Sequence, residues 1–250
     1  LESALGGNTT LVTQARAAAD SSDFSPAALQ QWMRNLEFGH KQVVYDAAGP
    51  AVWTNAALRQ ADRVIVLVPA SARMTPELAA HTLQAAGVRA PVELVMLRRE
   101  YEGANSVLPW KHALGAKSHY YVRPGNQDDI HSLARQLTGF GVGLVLGGGG
   151  ARGFAHVGLL RALQELKIPV DVCGGASMGA FISALYASGR DVQEITHTLK
   201  DTFINRKLLN DYRLPRLSII AGDKFRRHLH RIFSEVRAEH LRTPFFCVST

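Results

Sequence analysis

The chain has 250 residues and a net charge of +7 at neutral pH, with a sequence pI of about 9.7. Its 46% apolar and 20% charged residues are typical of a globular protein with a buried core, and no apolar run approaches the ~20 residues of a membrane-spanning helix. Two cysteines, Cys173 and Cys247, exclude a disulfide framework, and we expect both to be buried free thiols in a reducing compartment. The basic excess favours anionic partners such as phospholipid surfaces, while the lack of a basic patch interleaved with aromatic residues argues against nucleic acid.

The first half of the chain alternates helical and strand patterns. Helices are predicted over 25–37, 53–61, 75–87 and 127–139, and strands over 41–47, 62–70, 91–99 and 118–125. Ser25 followed by Pro26 is the start signal of the first helix, and the apolar run at 62–70 predicts a strand buried on both faces. Because such alternation is typical of a parallel sheet, we predict a smaller Rossmann-like α/β domain over residues 1–140.

The pattern restarts at Gly141, so a second α/β domain is predicted over residues 141–250. Its predicted strands are 142–148, 168–175 and 244–250, and its predicted helices are 153–167, 177–189, 191–203 and 224–233. The last of these helices, "KFRRHLHRIF", carries four apolar residues on one face with Arg and His around them. It is either an ordinary amphipathic helix with a solvated basic face or a contact to a membrane surface.

The glycines of "GLVLGGGGARGFAHVG", residues 143–158, are the feature that most needs explanation, because ordering so flexible a run is entropically costly. A phosphate-binding P-loop would require Lys and Ser or Thr after the glycines, and this chain has Phe154 and Ala155 there. Gly148, Gly150 and Gly153 fit the dinucleotide fingerprint G-x-G-x-x-G, with Asp171 about 20 residues later. A pair of tight turns without chemistry is a further reading.

A second motif favours acyl transfer. "GASMG", residues 175–179, is G-x-S-x-G between a predicted strand and a predicted helix, the setting of a nucleophile elbow that exposes Ser177. Successive strand–loop–helix units of a parallel sheet bring both loops to the same edge. The bare N–H groups of Gly149 and Gly150 could then stabilise an oxyanion formed when Ser177 attacks a carbonyl.

Taken together, "GGGGARGFAHVG" and "GGASMGAFISALYA" resemble the patatin-like phospholipases, whose pattern is G-G-G-x-R-G, then G-x-S-x-G, then D-G-[GA]. Residues 148–153 and 175–179 match the first two parts in full. "LRQADRVIVLV" and "LPRLSIIAGDKFRRHLHRIF" are similar to the bacterial relatives of neuropathy target esterase, and the similarity covers roughly residues 30–250. The resemblance implies a parallel-sheet, three-layer hydrolase core, incomplete at its C-terminus in this chain.

The resemblance also implies a function. Proteins of this branch hydrolyse acyl esters of phospholipids and lysophospholipids with a Ser–Asp dyad, without a metal or cofactor, and many carry cyclic-nucleotide-binding domains upstream. Carried over, Ser177 is the nucleophile within the elbow glycines Gly175 and Gly179. The implied oxyanion site comprises Gly148, Gly149, Gly150, Arg152, Gly153 and Met178, with Arg152 bracing the loop. The expected location is cytoplasmic, peripheral at the inner membrane.

The chain departs from the family pattern in one respect: it contains no Asp-Gly dipeptide. We therefore expect a fragment of a longer protein, inactive by itself, whose dyad Asp lies downstream. His156 is the local alternative for a Ser–His pair, although this position is usually structural in the family. Asp171 is expected to point away from Ser177, Asp223 to cap the basic helix, and Cys173 to lie in the core.

The first half carries strands similar to those of partitioning-type ATPases, "VVYDAAGP" and "ADRVIVLV", but "GGNTT" at 6–10 lacks the phosphate-loop Lys. We interpret it as a nucleotide-free spacer or interaction domain, with a ligand- or partner-binding module as the alternative. For the whole chain, the alternative to a serine acyl hydrolase is a non-catalytic dinucleotide- or lipid-binding α/β module.

Overall fold

A computed structural model describes residues 1–20, 24–71, 74–98, 107–206, 223–234 and 236–248. The chain divides into two compact units, Leu1–Phe140 and Gly141–Thr250. Both are α/β with parallel strands, which confirms the predicted fold class. Within the described ranges, none of the helices combines the length and apolarity that a membrane crossing requires.

The first unit contains five strands and seven helices within its described residues. The strands are β1 Thr9–Val12, β2 Gln42–Tyr45, β3 Val64–Pro69, β4 Val92–Leu97 and β5 Ser118–Val122. The helices are α1 Glu2–Leu5, α2 Gln14–Asp20, α3 Pro26–Gly39, α4 Ala51–Gln60, α5 Pro76–Ala85, α6 Val107–Leu114 and α7 Gln127–Leu137. β1 pairs with β2, and β3, β4 and β5 form a second parallel sheet in that order. Ser25 caps α3 by accepting a hydrogen bond from the Ala28 amide, as predicted.

One expectation about this unit is wrong. The strand predicted at 62–70 to be buried on both faces is β3, yet its Leu67 side chain is 59% exposed. β3 lies at the edge of its sheet, whereas β4 lies in the middle. The strand buried on both faces is therefore β4, where Leu94, Val95 and Met96 are all buried.

Within its described residues, the second unit has a three-stranded parallel sheet in the order β6-β7-β8. The strands are β6 Gly143–Leu146, β7 Val172–Ala176 and β8 Phe245–Val248. The helices are α8 Ala155–Glu165, α9 Met178–Ala187, α10 Val192–Leu199 and α11 Asp223–Phe233, with 3₁₀ turns at Gly150–Phe154 and Ala238–His240 and a π-helix at Lys200–Asn205. The predicted helix 191–203 is thus an α-helix that ends in a π-helix.

The core of the second unit lies on one face of its sheet, where Leu146 of β6 packs with residues of α8, α9 and α10. On the opposite face, Val145 and Phe246 are 69% and 43% exposed. Cys173 is buried, as expected, but the expectation that Cys247 is buried is wrong. Cys247 is exposed and lies on β8, one of the two edge strands of the described sheet.

The apolar residues of α11, namely Phe225, Leu229, Ile232 and Phe233, pack against the core. The described residues thus show an amphipathic helix whose apolar face packs against the core, with each of these four side chains partly buried. Its solvent side carries Arg227, His230 and Arg231, all exposed. Any contact of this helix with a membrane would therefore use its basic side, and not its apolar face.

Candidate active site

The two glycine-containing motifs lie at the same edge of the second sheet. β6 ends at Leu146, which is paired in register with Gly175 of the parallel strand β7. The glycine loop follows β6 and the G-x-S-x-G turn follows β7, so the carboxyl ends of neighbouring strands present both loops together. This confirms the adjacency on which the interpretation of acyl transfer depends.

Ser177 occupies a strained turn between β7 and α9. Its φ of 51° and ψ of −121° lie in a region that residues with a side chain rarely adopt. The residue is exposed although its neighbours Gly175 and Met178 are buried. Among the described residues, none hydrogen-bonds to its hydroxyl, which does not cap α9 either. The turn therefore presents an unengaged hydroxyl at the start of a helix, as in a nucleophile elbow.

The glycines on either side of Ser177 are required by close backbone contacts. A Cβ added at Gly175 would collide with the carbonyl oxygen of Leu146, and one added at Gly179 would collide with the carbonyl oxygens of Leu146 and Gly147. The first turn of α9 therefore packs directly on the backbone that leaves β6. Glycine at both positions is what allows the elbow to lie against the glycine loop.

The glycine loop in turn contacts the elbow. A Cβ added at Gly148 would lie 3.3 Å from the Cβ of Ser177 and 3.4 Å from the carbonyl oxygen of Ala176. A Cβ at Gly153 would collide with the side chain of Met178. The glycine loop and the elbow therefore pack closely against each other, and the Cβ of Ser177 lies beside the backbone of Gly148.

The loop offers backbone N–H groups that the fold itself does not use. In the described part of the chain, no acceptor is found for the amides of Gly148, Gly149 and Gly150. Gly149 and Gly150 have φ values of 154° and 55°, which glycine adopts far more readily than other residues. The amide of Met178, the first residue of α9, is also left without an intrahelical partner. These are the donors that an oxyanion hole requires.

Arg152 does not brace the loop as expected. Its side chain is exposed and makes no ion pair or hydrogen bond with any residue that the structure describes, while its backbone amide donates to the Gly149 carbonyl at 3.1 Å. The brace is instead His156, whose Nε2 donates to the Gly147 carbonyl at 2.9 Å. Since that nitrogen carries its proton toward a carbonyl, it cannot accept one from Ser177 in this arrangement.

Two other residues considered from the sequence, Asp171 and Cys173, have structural roles. Asp171 is buried, and its Oδ2 accepts a hydrogen bond from the Val142 amide at 2.8 Å, before β7 begins and so at the opposite end of that strand from Ser177. It is therefore not placed to hold a ribose, which removes support from the dinucleotide interpretation. Burial raises the pKa of the Cys173 thiol to about 12. The side chain of Asp223 lies outside the described residues.

No three metal-ligating side chains come together within the described ranges. Comparison with known proteins identifies the family of the chain. Residues 144–250 match the family described as Patatin-like phospholipase, and residues 16–123 match the Neuropathy Target Esterase family P-loop like domain. The chain belongs to the patatin-like phospholipases of the neuropathy target esterase type.

Relatives of this patatin-like chain match both of its halves. Patatin-like phospholipase domain-containing protein 6 of Homo sapiens is 33% identical over 274 residues, which covers 96% of this chain and 20% of that protein. Patatin-like phospholipase domain-containing protein 7 of Rattus norvegicus is 33% identical over 254 residues, covering 89% and 19%. Neuropathy target esterase sws of Drosophila melanogaster is 30% identical over 257 residues, covering 89% and 17%. The chain thus spans about a fifth of the length of these relatives.

In this patatin-like site, the motif indicated the loop and the elbow, but it did not reveal the bond that holds the loop. His156 lies on α8, and its i, i+3 and i+4 neighbours on that helix give no hint that its ring turns back to Gly147. The available signal was its position as the second residue of α8, directly after the 3₁₀ turn, where a polar side chain can reach the preceding loop carbonyls.

We expect His156→Ala to slow reaction at Ser177 roughly ten-fold, less than the ~100- to 1,000-fold cost of removing an oxyanion donor. Without the bond to Gly147, the loop amides lose a fixed position but remain present. His156→Gln should restore much of the rate, because its amide nitrogen can donate to the same carbonyl. The rate of labelling by a fluorophosphonate, measured on the full-length protein, tests this. Wild-type labelling by His156→Ala would show that the bond is dispensable, and near-total loss in both variants would indicate a catalytic base.

Proposed function

We propose that this chain is part of a serine acyl hydrolase that acts on phospholipids or lysophospholipids. The observation that carries the proposal is the placement of Ser177, exposed on a strained elbow and beside Gly148 of a loop whose amides have no partner among the described residues. The names of the relatives, which include phospholipase and esterase, support the same class.

In the proposed mechanism, Ser177 attacks the ester carbonyl, and the acyl C–O bond breaks to release the alcohol part of the lipid and leave an acyl-enzyme. Water then hydrolyses the acyl-enzyme, which releases the fatty acid and regenerates the Ser177 hydroxyl. The amides of the glycine loop and of Met178 stabilise the oxyanion. The helix dipole at the start of α9 adds to this stabilisation. The exposed guanidinium of Arg152 adds positive potential near the loop, where an anionic lipid headgroup would enter.

The proton acceptor is proposed to be an Asp outside these 250 residues, within the Asp-Gly pattern of the family. The described residues support this, because His156 and Asp171, the local candidates, are both engaged elsewhere. We therefore predict that the 250-residue chain alone does not hydrolyse esters. Robust hydrolysis by this chain that Ser177→Ala abolishes would contradict the proposed dyad.

The first unit is proposed to be a nucleotide-free spacer or interaction domain. Within its described residues, the strand–loop–helix turns carry no Lys positioned for phosphate, and "GGNTT" at 6–10 has none either. A nucleotide titration of the full-length protein tests this proposal. Micromolar binding that substitutions in the first unit abolish would overturn it.

We propose that the enzyme works peripherally at a membrane surface, on the cytoplasmic face of the inner membrane, with the basic side of α11 toward anionic lipid. Arg227 and Arg231 lie one turn apart on that side and are both exposed. Sedimentation of the full-length protein with phosphatidylglycerol vesicles should fall when both are replaced by Gln, while binding to phosphatidylcholine vesicles stays unchanged. Equal binding by the double variant would exclude this surface.

Labelling of the full-length protein with a fluorophosphonate, located by peptide mass spectrometry, tests the enzymatic function. Such a probe traps a serine that has both an activating base and an oxyanion hole. Label on Ser177, abolished in Ser177→Ala and retained in Ser188→Ala at the other end of α9, would support acyl transfer. Folded protein without label would favour the alternative, a lipid-binding module without turnover.

A further inference from the structure

Ring contacts link four phenylalanines of the second unit, Phe154, Phe181, Phe203 and Phe225, and a fifth, Phe233, contacts Phe181. Phe203 has its ring centroid 6.3 Å from that of Phe154, 5.7 Å from that of Phe181 and 5.9 Å from that of Phe225. Phe181 and Phe225 are themselves 5.6 Å apart. These four rings, here called the aromatic cluster, form a continuous apolar surface in the second unit.

Two members of the cluster are tied directly to the catalytic motifs. Phe154 follows Gly153 at the end of the glycine loop. Phe181 lies four residues after Ser177 on α9, one helical turn and therefore about 6 Å along the axis from the nucleophile. Phe203 contacts the rings of both Phe154 and Phe181, so the end of the glycine loop and the helix that begins after Ser177 share one aromatic neighbour.

Phe203 is presented by an unusual backbone. It lies in the π-helix Lys200–Asn205, where the Arg206 amide donates to the Asp201 carbonyl five residues earlier at 3.0 Å. π-turns within α-helices are rare and occur frequently at functional sites. The inserted residue changes the direction in which Phe203 leaves the helix, relative to an uninterrupted α10.

A buried hydrogen bond fixes this π-helix against α11. Thr202, next to Phe203 in sequence, donates from Oγ1 to the Thr198 carbonyl and accepts from His228 Nε2 at 2.9 Å. Thr202 and His228 are 0% and 6% exposed. The neighbour of Phe203 is therefore held from two sides, and the ring position is set by the fold.

The cluster is apolar but not closed off from solvent. Phe181 is buried and forms its base, whereas Phe154, Phe203 and Phe225 are only half-buried. The adjacent Ile204 is 56% exposed. Covering half-exposed aromatic surface with an apolar ligand removes it from water and so contributes favourably to the free energy of binding. Because Phe154 ends the glycine loop and Phe181 lies on the helix that begins after Ser177, the candidate apolar ligand is the acyl chain of an ester bound at Ser177.

We propose that the aromatic cluster holds the fatty acyl chain of the substrate and that Phe203 determines the preferred chain length. This inference rests on the proposed serine acyl hydrolase function, and it adds where the acyl chain of the substrate binds. The first carbons of the acyl group lie beside Phe154 and Phe181, and the later carbons lie across Phe203. Phe203 is a specificity-determining residue, and it takes no part in the proton transfers.

The test compares p-nitrophenyl butyrate with p-nitrophenyl laurate on the full-length protein. We expect Phe203→Leu to lower the laurate-to-butyrate ratio of kcat/KM. Phe203→Gln, in which the new side chain is close to Leu in size but polar, should lower the ratio about ten-fold. Hydrolysis of butyrate should change little in either variant, because its acyl group does not reach Phe203. Phe246→Leu is the matched control, since Phe246 lies on the opposite face of the sheet, and it should leave the ratio unchanged.

The outcomes separate this inference from the function on which it rests. Equal losses for both esters in Phe203→Leu would show a purely structural role and overturn the inference while Ser177-dependent hydrolysis stands. An altered ratio in Phe246→Leu would overturn it as well. If Phe203→Gln does not fold, as judged by circular dichroism, Phe203→Leu alone decides. Failure of the wild type to hydrolyse either ester or to label at Ser177 would instead refute the proposed hydrolase.

Discussion

Gly179→Ala is expected to destabilise the second unit by about 3 kcal/mol or more, at the upper end of the cost of overpacking. The added methyl group would collide with the carbonyl oxygens of Leu146 and Gly147. Both obstacles are backbone atoms, so no side chain can rotate away, and α9 would have to move off β6. Because Ser177 begins that helix, the same shift would separate the nucleophile from the loop amides, and labelling by a fluorophosphonate should be lost.

Gly158→Ala is the matched control for this prediction. Gly158 lies within α8, and a Cβ added there would meet nothing within 4 Å. Alanine should therefore stabilise the protein by about 0.5–1 kcal/mol, the helix-propensity difference. Urea denaturation followed by circular dichroism measures both effects. Equal midpoints for the two variants would show that the contact between α9 and β6 is looser than the structure indicates.

The positions of the two loops could be predicted from sequence because each motif carries its own structural context. G-x-S-x-G between an apolar strand and an apolar helix requires a tight turn, and two successive parallel units bring the turns to one edge. The contact of Gly148 with Ser177 follows from this adjacency. The pairing of Gly153 with Met178 does not, since it depends on how far α9 is shifted along the sheet.

The failures have equally physical causes. β1 was not predicted because "TTLV" is only four residues long and follows two glycines, so its pattern is too short to recognise. α6 was missed because Pro109 suggests a break, although Pro is tolerated in the first turn of a helix. The exposure of Cys247 depends on tertiary packing around β8, which a strand pattern in the sequence does not reveal. The bond between Thr202 of the π-helix and His228 joins residues 26 apart in sequence, and so distant a contact leaves no periodic signal.

Ser177→Gly is expected to stabilise the protein while abolishing its activity. Ser177 has a φ of 51° with a ψ of −121°, a conformation that costs a residue with a Cβ about 1–3 kcal/mol. Glycine adopts it without strain but loses more entropy on folding, so the net gain should be about 1 kcal/mol. Without the hydroxyl, hydrolysis should fall at least about 1,000-fold, as for loss of a catalytic nucleophile.

Ser177→Ala separates the two effects, because alanine removes the hydroxyl and retains the Cβ. It should be as inactive as the glycine variant, with a thermal midpoint close to that of the wild type. The difference between the two variants then measures the strain stored at the elbow. Such strain persists only where the surrounding contacts impose it, here those of Gly175 and Gly179 with the end of β6. A glycine variant no more stable than the alanine variant would mean that the turn is relaxed, and that the exposure of Ser177 comes from its flanking glycines alone.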